Sequence, residues 1–196
     1  MYGDVSLTSN YVDKGLTQSN KNLSVGAGTG YWFGNQGRIG ALGNSVNYPN
    51  ESASVELGIF GEYKFVFTPN ADLRIRNDVI RYFAEGQRNK VMVLLDQNFF
   101  TYHVLLFRED NFEGTKRPRN WFAFNKDWPW GTSFQINTTV GYSMVEQYDN
   151  YFDTRLGLTY LSGNITTSLV NTYVSNSTQF GGRGDTFVFL IVSARF

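Results

Sequence analysis

The fold is decided by the stretch from Ala53 to Phe67, which reads ASVELGIFGEYKFVF. Every second residue, starting at Ala53, is apolar or glycine, and the residues between them are mostly polar. Because successive side chains of a strand point to opposite faces, such a strand has one apolar face and one polar face. Ordinary strands have about 5–6 residues, whereas crossing a bilayer at a tilt needs about 9–11. The stretch is long enough to predict a transmembrane β-strand.

The same alternation recurs elsewhere in the chain. Residues 133–144 place Phe134, Ile136 and Val140 on one face and polar or small residues on the other, and residues 152–160 repeat the pattern. The chain closes on an apolar run, 186–196, that ends in Phe196. A final strand with an aromatic last residue resembles the assembly signal of outer-membrane barrels, which implies the barrel-assembly machinery as a partner.

Turn signals divide the chain into twelve predicted strands. These lie near 4–13, 22–33, 38–48, 52–67, 71–84, 88–96, 99–108, 119–126, 132–145, 150–161, 164–175 and 185–196. The least certain division is 88–108, which could also be one strand. Short connections alternate with longer polar ones, as at the periplasmic and extracellular ends of bacterial barrels. We therefore predict an all-β, closed antiparallel transmembrane barrel with both termini periplasmic, and with Lys14–Lys21 and Asn176–Gly184 outside.

Composition excludes several other classes. The 196 residues contain no linker and are predicted to form one domain, 1–196. Seventeen basic residues balance 17 acidic ones, so no electrostatic footprint for nucleic acid exists. The longest apolar runs are far shorter than the roughly 18–20 residues of a spanning helix. Since no signal peptide opens the chain, we expect one to have been removed before the protein reaches the outer membrane of a Gram-negative bacterium.

Aromatic residues, which make up 17% of the chain, gather near the predicted strand ends. Interfacial aromatic belts are typical of membrane barrels. One predicted belt lies beside the short connections and contains Tyr31, Phe33, Phe65, Phe67, Phe122, Phe124, Trp128, Trp130, Tyr160 and Phe196. The second lies at the opposite ends and contains Tyr11, Tyr48, Phe83, Phe107, Tyr148 and Tyr173.

The amino-terminal third carries a recognisable series of short motifs. Ser9-Asn10-Tyr11-Val12 precedes Lys14-Gly15 and Thr17-Gln18, and the segments 40–46 and 55–63 follow. This pattern resembles the TorF-like family of porins over about the first 65 residues. Asp13 departs from it, since an apolar residue is expected there, and Asn44-Ser45 reverses the usual order. The resemblance implies an outer-membrane barrel with a pore function and supplies no catalytic residue.

If the apolar faces of the strands point outward, a set of charged residues of both signs lines the lumen. The predicted set is Glu56, Glu62, Lys64, Asp72, Arg74, Arg76, Asp78, Lys90, Asp153 and Arg155. These charges could orient small polar solutes in a water-filled channel, or they could pair and close the barrel. Twelve strands lie between filled and open barrels, so size leaves both readings open. The alternatives to a porin-like channel are a closed structural or lipid-organising barrel and a lipid-modifying barrel enzyme.

An enzyme is the least favoured of these. His103 is the only histidine, and a hydrolase would need it beside a serine nucleophile and a third orienting group. No metal-ligand spacing appears in the sequence, and no cofactor is expected. We predict a protein that is not an enzyme.

One irregularity concerns the lipid-facing side. Strands near the seam place small polar residues there, and the sector around Ser9, Ser45, Thr167 and Asn171 is predicted to form a subunit contact. Small residues let membrane segments pack closely. A homo-oligomer surrounded by membrane lipids is the corresponding expectation.

Overall fold

The computed structural model describes residues 1–47, 54–68, 71–82, 86–97, 102–112, 117–146 and 148–196, with the side chains of 82–107 and 109–117 outside the description. Twelve long strands and two short ones make up the described chain. They are β1 (Tyr2–Thr8), β2 (Val12–Asp13), β3 (Leu16–Thr17), β4 (Ser24–Phe33), β5 (Gly37–Ser45), β6 (Val55–Thr68), β7 (Ala71–Tyr82), β8 (Gly86–Gln97), β9 (Tyr102–Phe112), β10 (Arg117–Trp130), β11 (Phe134–Val145), β12 (Tyr151–Ser162), β13 (Ile165–Val174) and β14 (Phe187–Arg195).

The long strands form one antiparallel barrel sheet, and β2 pairs only with β3. From β4 to β14 each long strand pairs with the next one along the chain. The first strand, β1, pairs with β4 on one side and with the last strand, β14, on the other, through partners such as Asp4 and Arg195. The prediction of an all-β protein with twelve long antiparallel strands is confirmed.

The long strands whose side chains are described alternate between an exposed apolar face and a covered face. In β6, Leu57, Ile59 and Tyr63 are exposed, whereas Glu56 and Glu62 are buried. A protein that folds in water does the opposite, because burial of apolar surface drives its folding. The exposed band is instead suited to hydrocarbon, and we call the covered alternate positions the interior face.

The strand boundaries follow the predicted ones closely, with two informative differences. The stretch 88–108 contains two strands as predicted, because β8 ends at Gln97 and β9 begins at Tyr102. The first strand ends at Thr8 instead of at residue 13, since the following residues leave the sheet. The eighth long strand, β10, runs from Arg117 to Trp130 and includes Pro129, whereas a strand near 119–126 was predicted.

Connections at the two ends of the barrel differ in length. At one end the strands are joined by tight turns whose glycines, Gly34, Gly131 and Gly163, have φ values of 65°, 69° and 58°. This left-handed conformation costs glycine little. Both chain termini lie at this end, because Asp4 and Arg195 face each other there. The long connections lie at the opposite end.

Two of the long connections fold back over the barrel. Residues 9–23, which we call the inner hairpin, contain β2 and β3 and bury Leu16 completely. The last connection forms a single 3-10 turn, Ser177–Phe180, and buries Phe180. Leu16 and Phe180 pack with Val145, Tyr151 and Val174 in one apolar cluster.

The first aromatic belt lies on the exposed face, including Trp130 and Phe196 at the short-turn end. Phe122 and Phe124 are also exposed, but they lie in the middle of β10 because that strand is longer than predicted. Among the described members of the second belt, Tyr11, Tyr148 and Tyr173, only Tyr173 is placed as expected. Tyr11 and Tyr148 turn inward, toward Glu56 and Phe180 respectively. The side chains of Tyr48, Phe83 and Phe107 lie outside the described residues.

Within the described segments, no helix is both long and apolar enough to cross a membrane.

Candidate functional site: the barrel interior

The interior face encloses a cavity of about 610 Å³. Its lining includes Tyr2, Arg38 and Arg195 near the chain termini, and Val12 and Gly15 of the inner hairpin toward the opposite end. The cavity therefore extends along the barrel rather than forming a shallow dent in one wall.

Three ion pairs follow the wall formed by β5, β6 and β7. They join Arg38 to Glu62 at 2.7 Å, Arg76 to Asp78 at 2.7 Å and Arg74 to Asp72 at 3.0 Å. The carboxylate side chains are only 7–9% exposed, whereas the arginine side chains are 18–33% exposed. The acids thus lie against the wall and the guanidinium groups cover them. A solute in the cavity meets more positive than negative surface along this wall.

An aromatic ring separates two of these arginines. The Phe60 ring centroid lies 4.0 Å from the Arg76 guanidinium carbon and 5.3 Å from that of Arg38. Arg38 also lies 5.2 Å from the Trp32 ring. Cation–π contacts of this kind restrain a guanidinium group without neutralising it. Phe60 is an apolar residue on a predicted polar face, so the alternation that locates the strand gives no sign of its role.

Two of the predicted lumen carboxylates are buried and hydrogen-bonded to neighbouring side chains, so they present little surface to a solute. Glu56 is 2% exposed and accepts hydrogen bonds from the Tyr11 hydroxyl at 3.0 Å and from the Asn44 amide at 2.7 Å. Asp153 is 3% exposed and accepts a hydrogen bond from the Trp121 indole at 2.7 Å. Both carboxylates fix neighbouring side chains.

Two predicted cations differ from the paired arginines. Arg155 is exposed and borders the cavity, and within the described residues no hydrogen bond or ion pair involves its guanidinium group. Lys64 is partly exposed and lies on the same interior face of β6 as Glu62. Lys90 lies opposite Asp78 in the β7–β8 register, but its side chain is outside the described residues.

The interior also contains charged residues that the sequence prediction missed. Asp4 and Arg195 face each other across the β1–β14 pair, and Arg119 lies 3.6 Å from Asp13. Arg119 occupies the same face as Trp121 in β10, so a period-two count along that strand could have found it. Asp13 is the acidic residue that departs from the TorF-like pattern, and it also pairs with Lys14 at 2.8 Å.

The predicted subunit-contact sector lies on β5, on β13 and on the segment that follows β1. Three of its polar side chains satisfy backbone groups of the same barrel. The Ser9 hydroxyl accepts from the Leu190 amide at 3.0 Å, Ser45 accepts from the Val25 amide at 2.9 Å, and Asn171 donates to the Phe187 carbonyl at 3.4 Å. These bonds give the sector a role in strand pairing that needs no second subunit. Thr167 lies in β13 opposite Val192.

The side chain of His103 lies outside the described residues, so the hypothesis of a histidine-dependent hydrolase has no described geometry. Its backbone position is in β9, opposite Asp96 and Asn125. Among the described residues no group of three or more His, Cys, Asp or Glu side chains could hold a metal ion.

Twelve long antiparallel strands, an exposed apolar band and a charged interior define a β-barrel of the outer-membrane type. No family model matches the sequence, and no curated protein matches it. The TorF-like resemblance therefore stays a prediction.

Solved structures do share the fold. The KdgM porin superposes with a TM-score of 0.69 at 10% identity, over 100% of this chain and 98% of that one. The NanC porin gives 0.68 at 10% identity, over 99% and 98%. LpxR from Salmonella typhimurium gives 0.52 at 11% identity, over 100% and 99%. At these identities the likeness is one of fold, and function has to be argued from the interior.

Proposed function

We propose that this protein is a small passive channel of the Gram-negative outer membrane that carries small polar solutes or ions. The observation that carries the proposal is the cavity of about 610 Å³, which reaches from the inner hairpin to the residues near the termini. Tight turns are typical of the periplasmic end of bacterial barrels. Both termini are accordingly periplasmic, and membrane lipids surround the exposed apolar band.

The wall formed by β5, β6 and β7 favours anionic over cationic solutes. Arg38, Arg74 and Arg76 cover their own carboxylate partners, and Arg155 borders the cavity and interacts electrostatically with Asp13. The KdgM porin has been solved in complex with disordered oligogalacturonate, an acidic sugar chain. We extend to this chain only the coarser property, a preference for small acidic solutes.

Liposome swelling tests this proposal. Proteoliposomes containing the purified barrel are diluted into iso-osmotic galactose or sodium galacturonate, which have similar size and differ in charge. We expect swelling in both sugars and a higher rate with galacturonate. Equal rates would remove the charge preference, and no swelling in either would remove the channel.

A closed structural barrel is the second candidate, and one observation favours it. Leu16 of the inner hairpin and Phe180 of the last connection bury an apolar cluster inside the long-loop end. A barrel sealed by this cluster would conduct nothing even though its fold is that of a porin. Conductance separates the two candidates, because an open barrel carries ion current and a sealed one does not.

A further inference from the structure

We propose that the inner hairpin, residues 9–23, is the constriction element of this barrel and sets both the width and the position of the solute path. The proposal rests on the proposed channel function.

The tip of the hairpin is a tight turn. Lys14 and Gly15 connect β2 to β3, with φ values of 47° and 80°. Two consecutive residues with positive φ form the tight hairpin turn that reverses the chain within two residues.

The hairpin crosses the barrel from one wall to the opposite wall. At one side the Tyr11 hydroxyl bonds Glu56 of β6. At the other, the tip glycine lies so close to Asp153 of β12 that an added Cβ would be 2.9 Å from the Asp153 Cβ. In the ring of twelve long strands β6 and β12 are six places apart in either direction, and so lie across a diameter.

The tip is charged but covered. The Lys14 side chain is only 10% exposed, bonds Asp13 at 2.8 Å and lies 5.5 Å from the Trp121 ring centroid. Asp13 in turn lies 3.6 Å from Arg119 of β10. Covering a lysine is costly unless it is paired. This pairing therefore favours a tip that stays docked on the wall formed by β10 and β12.

Hydrogen bonds stiffen the hairpin and attach it to the last connection. Thr17 and Ser19 both donate to the Asn10 side-chain oxygen, at 2.5 and 3.3 Å, and all three residues are buried. The Thr17 amide donates to the Arg183 carbonyl at 2.9 Å, and the Arg183 side chain donates back to the Thr17 carbonyl at 3.2 Å. The hairpin and the last connection thus form one unit.

This arrangement divides the interior unequally. The side of β10 to β13 carries the hairpin tip and the apolar cluster at its long-loop end. The cavity is bordered by Arg38, Phe60 and Arg76 on the opposite side and, next to the tip, by Arg155 of β12. Solute is consequently steered along the arginine-covered wall. The hairpin determines how large a solute can pass, and the arginines determine which charge it carries.

Two variants test the proposal by removing the hairpin tip or by displacing it from the wall formed by β10 and β12. Replacing residues 12–17 with Gly-Gly deletes the tip, and Gly15→Val pushes it from the wall because the new side chain meets Val174 and Asp153. Gly34→Val is the matched control, since Gly34 also has positive φ but nothing lies within 4 Å of its added Cβ. All variants are first checked for folding by the gel shift between unheated and boiled samples.

Single-channel conductance in KCl and exclusion of polyethylene glycols of increasing size are then measured. Because conductance scales with open cross-section, we expect tip deletion to raise it about twofold or more and to admit larger polymers, with Gly15→Val in the same direction and Gly34→Val unchanged. If the deletion variant does not fold, Val12→Cys, at a partly exposed hairpin position that borders the cavity, is modified with a bulky thiol reagent in the folded barrel. Conductance should then fall, whereas Asn35→Cys should not respond.

The outcomes separate this inference from the channel proposal. A silent wild type and a conducting deletion variant would support the hairpin as the closing element and overturn the open channel. Equal conductance and equal polymer cut-off in both would overturn the constriction and leave the channel standing. Silence of both proteins would overturn both proposals, as would a Val12→Cys barrel that neither conducts nor responds to the reagent.

Discussion

Gly3 and Phe196 join the two ends of the chain. The Gly3 amide donates to the Phe196 carbonyl at 2.8 Å, and the Phe196 amide donates to the Gly3 carbonyl at 2.9 Å. The terminal ring covers Gly3, since an added Cβ would lie 2.6 Å from a ring carbon. In a membrane, an unpaired strand edge would leave backbone groups without partners, so this pair protects the seam.

Gly3→Val should therefore weaken the seam, because the ring of Phe196 has to move away from it. Gly61→Val is the control, since Gly61 also lies in a strand but is exposed, and nothing lies within 4 Å of its added Cβ. We expect a lower yield of the heat-modifiable folded band and a lower urea midpoint for Gly3→Val only. Equal behaviour of the two variants would contradict the role assigned to the ring.

Charge reversal of the interior arginines should change ion selectivity. Arg155→Glu alone is expected to shift the reversal potential toward cation permeability, and the triple replacement of Arg74, Arg76 and Arg155 by Glu should shift it further. Arg81→Glu serves as control because Arg81 is exposed on the outer face of β7. Unchanged selectivity with preserved conductance would place the three arginines away from the path.

The Arg38–Glu62 pair should stabilise the barrel. Arg38→Met removes a charged hydrogen bond and leaves the covered Glu62 carboxylate unpaired, which we expect to cost about 1–3 kcal/mol of unfolding free energy in urea titrations. The exposed Lys21–Asp185 pair is the comparison, and Lys21→Met should cost less than about 1 kcal/mol. Adding Glu62→Leu to Arg38→Met should recover part of the loss, and a fully additive double variant would count against the pairing.

Orientation can be tested with single cysteines on whole cells. Lys21→Cys and Thr178→Cys, both in long connections and exposed, should react with an impermeant thiol reagent, whereas Asn35→Cys in a tight turn should not. Lys14 and Leu16 of the inner hairpin are unsuitable probes because their side chains are covered. Labelling confined to Asn35→Cys would invert the barrel in the membrane.

Subunit association stays a prediction, and mass determination in nanodiscs tests it. If the sector around Ser45 and Thr167 is a contact, the wild type should exceed the monomer mass and Ser45→Leu with Thr167→Leu should reduce it. Strand pairing already uses the Ser45 hydroxyl, so a monomeric wild type would mean that the polar residues of this sector serve the barrel alone.

Strand faces could be predicted from sequence because they depend on local alternation. Leu57 and Glu56 are neighbours with opposite environments, and the pattern alone separates them. The position of Tyr11 could not be predicted in this way, because its partner Glu56 lies 45 residues away and across the interior. The contact of Phe60 with Arg38 and Arg76 depends on three strands at once, and no period along one strand encodes it.

Single-channel recording of the purified wild-type protein in a planar bilayer tests the central claim most directly. A channel along the arginine-covered wall predicts discrete, stable current steps in KCl, with a reversal potential that favours chloride in a salt gradient. The Arg155→Glu protein should give the same step behaviour with the preference reversed or reduced. A folded, heat-modifiable wild-type barrel that inserts into the bilayer and carries no current would contradict the claim and leave a closed structural barrel.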